Sequence, residues 1–414
     1  MKLLWLCNMV PGDVKKAITG KAGNGLWVDH VLTDLCREED LTIRILCRYR
    51  QETEGELAEG CSYRTFPETP PQEYAASLEN TFAQELERFC PDVIHSWGVE
   101  YAHTLAMVKA AERTGYLDRM VISIQGLCSS IARQYCQGIP YGVTHGYTLR
   151  DLLRRDNLAM QQKKFVQRGA LEIQALEKVS HVIGRTCWDR AGVERIHPDA
   201  CYHFCNETLR EPFYRGSWQY ENCRKYRIFA SGCGYPVKGF HYLLEAFAQV
   251  VKTYPQATLS VPGKSYLQVN ALHRSSYQKY LAKLTRQYGL EDKIEFLGTL
   301  DAEGMKRAYL EANVFALSST IENSPNALGE AMLLGLPCVA ADVGGVSSMM
   351  HHNMDGFMYP GTDPDMLAYY IREVFAMEAE AENMGLAAKH HAQRTHDPEE
   401  NRNRLLEIYG EIAL

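Results

Sequence analysis

Val314-Phe-Ala-Leu-Ser-Ser-Thr-Ile-Glu322-Asn-Ser-Pro-Asn-Ala-Leu-Gly-Glu330-Ala-Met-Leu-Leu-Gly335-Leu-Pro337 is the stretch on which the fold turns. Val314 to Ser319 reads as a buried strand. Pro325 to Leu334 reads as a helix, with Ser324 as its N-cap, Pro325 at the first helical position, and Gly335 with Pro337 as its stop. Glu322 then sits in the loop at the carboxyl end of a strand, where open α/β sheets bind ligands. The amides from Ser324 to Ala327 form a helix N-terminus suited to an anion such as a diphosphate. Glu330 lies five residues into the helix, roughly 7 Å along its axis at about 1.5 Å per residue. One carboxylate can face a sugar and the other a ribose diol, with phosphates between them. Taken alone, the pair reads more simply as two solvated carboxylates, on a loop and on a helix face, so the rest of the chain has to decide.

Outward from this stretch, strand-like apolar runs alternate with helical patterns from end to end, which is the pattern of parallel sheets flanked by helices. In the first half the strands fall at Leu3–Met9, Leu41–Cys47, Asp92–Ser96, Met120–Ile124 and His181–Gly184. Helical stretches lie at Leu26–Arg37, Tyr74–Phe89, Tyr101–Thr114 and, longest, Leu149–Val179. In the second half strands are expected at Tyr226–Ser231, Ala257–Val261, Lys293–Leu297, Val314–Leu317, Cys338–Ala341 and Phe357–Tyr359. A chain of 414 residues predicts two domains. The boundaries expected are an N-terminal domain over 1–205, a linker over 206–224, a C-terminal domain over 225–392 and a final helix over 393–414.

The net charge of −7 argues against a nucleic-acid binder working through a basic surface. No apolar run approaches the roughly 20 residues that span a bilayer. Met1 to Val10 reads as a buried first strand and not as a signal peptide. Thirteen scattered cysteines fit a reducing cytoplasm. His197, Cys201, His203 and Cys205 are too loosely spaced for a zinc site and read better as part of a strand. No metal or other cofactor is expected.

The segment from Gly298 to Gly356 resembles the donor-binding half of retaining glycosyltransferases of family 4 (glycosyltransferases group 1). The matching text is Phe296-Leu-Gly298, Ser318-Ser319, Glu322 to Met332, Gly335-Leu-Pro337, Gly344-Gly345 and Asp355-Gly356. A second block, Gly232-Cys-Gly-Tyr-Pro-Val-Lys238-Gly239-Phe240, looks like that family's phosphate-contacting loop. The resemblance implies a GT-B α/β architecture, two Rossmann-like domains facing a central cleft. It implies donor contacts from Gly232, Lys238, Lys264, Gly298, Glu322, Ser324, Pro325, Asn326, Ala327, Leu328 and Glu330, with Glu322 and Lys238 closest to the chemistry. It implies N-domain cleft residues Gly23, Gly25, Gln125 and Arg185; His95, at the end of a strand, reads as a further cleft residue or, more simply, as a structural histidine. The final helix is expected to cross back to the N-terminal domain.

The sequence departs from the family in three places. Cys233 stands where a second phosphate-binding cation is usual, with Lys264 and Arg185 as replacements. Gln125 stands where a sugar-contacting histidine is usual, and an amide can hydrogen-bond a hydroxyl but cannot work as an acid or base. Asn206-Glu207 replaces an Asn-Gly hinge turn.

The function implied is retaining, metal-independent transfer of a sugar from a nucleoside-diphosphate sugar to a hydroxyl of a glycan, glycolipid or lipid-linked acceptor, in polysaccharide or glycoconjugate biosynthesis. A GT-B nucleotide-sugar epimerase and a non-catalytic nucleotide-sugar-binding protein are the alternatives. A dinucleotide dehydrogenase is disfavoured, because no Gly-x-Gly-x-x-Gly follows the first strand. Arg150, Arg154, Arg155, Lys163, Lys164 and Arg168, interleaved with Leu152, Leu153, Leu158, Met160, Phe165 and Val166, suggest peripheral contact with the anionic inner face of a membrane. The same stretch also reads as a helix packed on its domain. The location expected is cytoplasmic.

Overall fold

The computed structural model describes residues 1–21, 27–38 and 40–413. Gly23 and Gly25 lie outside the described residues. The chain divides into two compact units, one of residues 1–132, 164–210 and 396–414, the other of residues 133–163 and 211–395. Both are α/β with Rossmann-like parallel sheets.

The sheet of the first unit has the order β3-β4-β2-β1-β5-β6-β7-β8. Its strands are β1 (Lys2–Cys7), β2 (Thr42–Tyr49), β3 (Glu54–Ala58), β4 (Cys61–Pro67), β5 (Val93–Trp97), β6 (Met120–Ser123), β7 (His181–Gly184) and β8 (Cys201–Phe204). All neighbours pair in parallel except β3 and β4, an antiparallel edge hairpin. The hairpin was not expected. Its β3 is Glu54-Gly-Glu-Leu-Ala58, with a side-chain pattern too polar and too short to announce a strand. The opposite case is β1, buried on both faces through Leu3, Leu4, Trp5 and Leu6, the mark of a central parallel strand. The helix Pro398–Ala413 packs Leu405, Ile408, Tyr409 and Ile412 into the core of this unit, and Trp5 Nε1 donates to Tyr409 Oη at 3.1 Å.

The sheet of the second unit is wholly parallel, in the order β11-β10-β9-β12-β13-β14. Its strands are β9 (Arg227–Phe229), β10 (Thr258–Val261), β11 (Ile294–Phe296), β12 (Val314–Leu317), β13 (Cys338–Asp342) and β14 (Phe357–Pro360). From β9 the chain builds outward to β10 and β11, then returns to place β12 on the other side of β9. Strand order therefore reverses between β9 and β12. This is the switch point, where the loops at the carboxyl ends splay apart and leave a crevice.

The single long helix expected over Leu149–Val179 is two helices, Leu149–Arg154 and Leu158–Leu176. The break is local. Arg155 takes a left-handed conformation, φ 48°, and its amide caps the carbonyls of Asp151 and Leu152. Thr148 caps the first helix by accepting from Asp151 N, and Asp151 in turn accepts from Ser276 N at 2.8 Å. Arg150 pairs with Asp151 and Asp156. Leu158 and Phe165 are buried, while Leu152 and Leu153 are exposed beside exposed Arg154 and Arg155. The six basic residues thus do not share one helix face.

Candidate functional site

The switch point collects the side chains singled out around Glu322. The chain leaves β9, runs through Gly232 and Cys233, makes a 3-10 turn over Pro236–Lys238, and enters the helix Phe240–Thr253 through Gly239. Gly239 has φ 61°, and a Cβ there would stand 1.8 Å from the carbonyl oxygen of Ser318. Only glycine lets the end of β12 come this close. Thr320 N donates to Val237 O at 2.8 Å, and Ser318 Oγ donates to Lys238 O at 2.9 Å. Two loops far apart in sequence are thereby laced together.

Across that seam Lys238 Nζ donates to Glu322 Oε1 at 2.6 Å, and Ser319 Oγ donates to the same oxygen at 2.6 Å. The ammonium is about one-third exposed (35%) and the carboxylate less so (13%). The Glu322 backbone is pinned from the β13 side, where Gly345 N donates to Glu322 O at 3.1 Å. Gly344, at φ 58°, leaves no room for a Cβ, which would lie 1.9 Å from that carbonyl oxygen.

Beyond Glu322 the helix Asn326–Leu334 begins one residue later than expected. Pro325 is its N-cap and Ser324 does not cap it; Ser324 Oγ donates to Met349 Sδ at 3.4 Å. Proline has no side-chain acceptor, so the first amides at Asn326 and Ala327 receive no side-chain cap. Such amides, with the helix dipole behind them, favour an anion. Leu328 is buried beneath this turn, and Glu330, one turn into the helix, is 3% exposed.

Cys233 is buried, and burial pushes its thiol up to about 11, so it is neutral near pH 7 and supplies no charge. Lys264 is exposed on the loop after β10, the strand next to β9. That loop is held by Gly263 N donating to Gly298 O at 2.6 Å, with both glycines at positive φ. At Gly232 a Cβ would meet nothing within 4 Å. Conformational need therefore explains Gly239, Gly298 and Gly344, and does not explain Gly232.

In the first unit the expected cleft residues separate. His95 is a core histidine: it is 1% exposed, its Nδ1 lies 2.6 Å from Tyr409 Oη, its Nε2 lies 2.7 Å from Ser123 Oγ, and it stacks on Trp97. Burial holds its pKa down to about 3. Both ring nitrogens are engaged inside the core, so His95 is a structural histidine and not a lining group of a cleft. Arg185 is likewise buried and pairs through Nη1 with Glu207, while its Nη2 donates to Ile124 O at 3.0 Å. An arginine neutralised in this way is not a spare cation for phosphate. Gln125 donates through Nε2 to the same Glu207. Glu207, read from the sequence only as a hinge marker, is thus the buried centre of this network, and burial raises its pKa.

Sequence reasoning also missed a pocket lined by Asn8, Trp97, Glu100, Tyr101, Gln125 and Arg168. Asn8 Nδ2 donates to Glu100 Oε2 at 2.7 Å, and Arg168 Nε donates to Glu100 O at 2.7 Å. Gly98, at φ 113°, leaves room for the Asn8–Glu100 contact, since a Cβ there would stand 2.3 Å from both side chains. Burial raises the Glu100 carboxyl to about 7. The isolated Glu100 had no motif around it to betray this.

Residues 220–391 match the family model described as glycosyl transferases group 1, a match that lies within the second unit. A D-inositol 3-phosphate glycosyltransferase of Corynebacterium urealyticum is 27% identical over 176 residues, 42% of this chain and 41% of that protein. The amylovoran biosynthesis glycosyltransferase AmsK of Erwinia amylovora is 34% identical over 106 residues, 24% of this chain and 26% of its own. The matches thus span less than half the length of these curated relatives. Among solved structures, sucrose-phosphate synthase of Thermosynechococcus elongatus superposes with a TM-score of 0.74 at 17% identity, covering 100% of this chain and 99% of that one. HepE of Anabaena, solved with UDP-glucose, gives 0.69 at 17% identity, covering 99% and 100%. The protein therefore has the GT-B type of fold, two parallel-sheet Rossmann-like units, of which the second carries the segment that matches glycosyl transferases group 1.

Proposed function

We propose that the protein is a retaining glycosyltransferase of family 4 that moves a hexosyl group from a nucleoside-diphosphate sugar to a hydroxyl of a glycan, glycolipid or lipid-linked acceptor. The observation that carries this reading is the convergence of Lys238, Glu322 and the uncapped start of the helix Asn326–Leu334 at the switch point between β9 and β12. A cation and the first helix amides beside a carboxylate suit a substrate that is anionic at one end and rich in hydroxyls at the other. The presence of UDP-glucose in the HepE structure supports a donor of this class.

In this reading the diphosphate lies against Lys238 and the amides of Asn326 and Ala327. As the glycosidic C–O bond breaks, charge grows on the leaving phosphate, and these fixed donors stabilise it more than they stabilise the ground state. Glu322 accepts hydrogen bonds from sugar hydroxyls, exchanging the Lys238 ammonium for them. Glu330 holds the ribose diol. The acceptor hydroxyl attacks the oxocarbenium-like sugar from the face the phosphate leaves, and the departing phosphate oxygen takes its proton. No side chain is required as a nucleophile and no metal as a counter-charge. The neutral, buried Cys233 adds no charge beside Lys238, which predicts weaker nucleotide affinity than a second cation at that position would give.

No helix among the described residues is long and apolar enough to cross a membrane. We place the protein in the cytoplasm, with peripheral attachment to an anionic inner membrane face through exposed Leu152, Leu153, Arg154 and Arg155. The deciding experiment is a thermal-shift screen of UDP-, GDP- and ADP-sugars, followed by transfer assays with NMR assignment of the product anomer and with chelator added. A donor that raises the melting temperature and is turned over to a product of retained configuration, chelator or not, supports the reading. Binding without turnover leaves a nucleotide-sugar-binding protein.

A further inference from the structure

We propose that His181, Cys201 and His203 form a zinc site on one face of the β7–β8 edge of the first unit. Strands β7 and β8 pair in parallel, with His181 opposite Cys201 and Ile183 opposite His203. The two-residue period of a strand puts Cys201 and His203 on the same face, and the pairing brings His181 to it. Nδ1 of His181 and Nε2 of His203 are 3.0 Å apart, and the ligand atoms of all three residues lie within 4.8 Å of one another. Two nitrogens bound tetrahedrally at about 2.0–2.1 Å from a zinc ion would stand about 3.3 Å apart. The imidazoles are already near that spacing, and the exposed Cys201 side chain is free to complete the set.

The second nitrogen of His203 strengthens the case. Its Nδ1 faces Glu411 Oε2 at 3.4 Å, from the helix Pro398–Ala413, and the other oxygen of Glu411 takes Arg404 Nη1 at 3.2 Å. A carboxylate behind a ligating imidazole keeps the proton on the far nitrogen and the lone pair on the near one, which is how bound histidines are ordinarily oriented. His203 is buried (3% exposed), His181 is half-buried and Cys201 is exposed, so an ion enters from the Cys201 side and solvent can fill a fourth position.

Without metal, one imidazole donates to the other across the 3.0 Å gap. Zinc binding replaces that shared proton: His181 carries its hydrogen on Nε2, and the Cys201 thiol releases one proton to solvent as the thiolate–zinc bond forms. The site would tie the edge strand to its neighbour and, through Glu411, to the last helix. The set is not His197, Cys201, His203 and Cys205, whose spacing along the sequence is too loose for zinc. His197 is spent on the carbonyls of Leu176 and Val179, and the Cys205 thiol is directed at the carbonyls of Asn206 and Asn401. His181 is twenty residues upstream of Cys201 and enters only through strand pairing.

The test is titration of the full chain, stripped with chelator, with Co2+ and then Zn2+. We expect one equivalent of Co2+ to give a sulfur-to-cobalt charge-transfer band that Zn2+ abolishes and that Cys201→Ser lacks. Zn2+ should raise the melting temperature of the wild type and leave that of Cys201→Ser unchanged. Glu411→Gln should weaken the affinity about 10–100-fold while keeping the band. Cys201 is exposed, so the serine variant is expected to fold, and the far-UV circular dichroism spectrum checks it. Among the described residues the other three-residue cluster, His351, Asp355 and His391, has no sulfur and cannot give the band. Absence of the band in the wild type, or its persistence in Cys201→Ser, overturns the proposal.

Discussion

Gly344→Ala is the sharpest probe of the switch-point site. The new methyl group would start 1.9 Å from the carbonyl oxygen of Glu322, where real Cβ contacts do not fall below 3.0 Å. The loop carrying Glu322 and the loop carrying Gly344 must therefore part by about 1 Å, since nothing but backbone faces the methyl. A second cost comes from φ 58°, at which an L-residue loses about 1–2 kcal/mol. The two effects separate with a control. Gly335 has φ 76°, and its nearest Cβ neighbour is the Gly385 carbonyl at 3.3 Å, so Gly335→Ala carries the conformational cost with little displacement. Both variants should lower the melting temperature. Only Gly344→Ala should also move Glu322 off Lys238 and away from the helix Asn326–Leu334, and a misplacement of about 1 Å at a reacting site costs on the order of 10²-fold in rate. The assay is transfer from the donor found by thermal shift, at a temperature where circular dichroism shows both variants folded. If Gly344→Ala retains the turnover of Gly335→Ala, the claim that this glycine positions Glu322 is wrong.

Glu322→Ala should abolish transfer while the nucleoside diphosphate still binds; near-normal turnover would exclude a sugar contact. Glu330→Ala should weaken nucleotide binding by calorimetry more than it slows the bound complex, and unchanged affinity would remove it from the ribose. For Glu100 the sign follows from a folded-state pKa of about 7 against about 4.5 unfolded. Between those values the folded state holds the extra proton, so this group's contribution to stability falls as pH rises from about 4.5 to about 7 and is level above. Glu100→Gln should therefore gain on the wild type by on the order of 1–3 kcal/mol between pH 5 and pH 8 in urea titrations, and a difference flat in pH would show that the carboxyl is ionised throughout. Wild-type protein should sediment with anionic vesicles at low salt and release at high salt, and Leu152→Glu with Leu153→Glu should prevent sedimentation; vesicle binding by the double variant would place the contact elsewhere.

The sequence by itself determined the parallel α/β class, because Val314–Leu317, Leu3–Leu6 and Cys338–Ala341 are apolar on both faces, and helical patterns follow the first two. It also picked out Lys238, Glu322 and Glu330, since a glycine-rich turn or a proline-started helix after a strand is a local signal. What the tertiary structure decided was which of the singled-out residues have partners already. His95 and Arg185 read as cleft candidates, yet Tyr409 and Glu207, hundreds and tens of residues away, engage them inside the unit. Local periodicity carries no information on contacts at that separation. The same limit hid the Lys238–Glu322 ion pair, which spans 84 residues and depends on β12 returning beside β9. It also hid the His181–Cys201–His203 cluster, which exists only because β7 and β8 pair in that register. Propensity and pattern are properties of neighbours along the chain; a site is a property of neighbours in space, and sheet order is what converts one into the other.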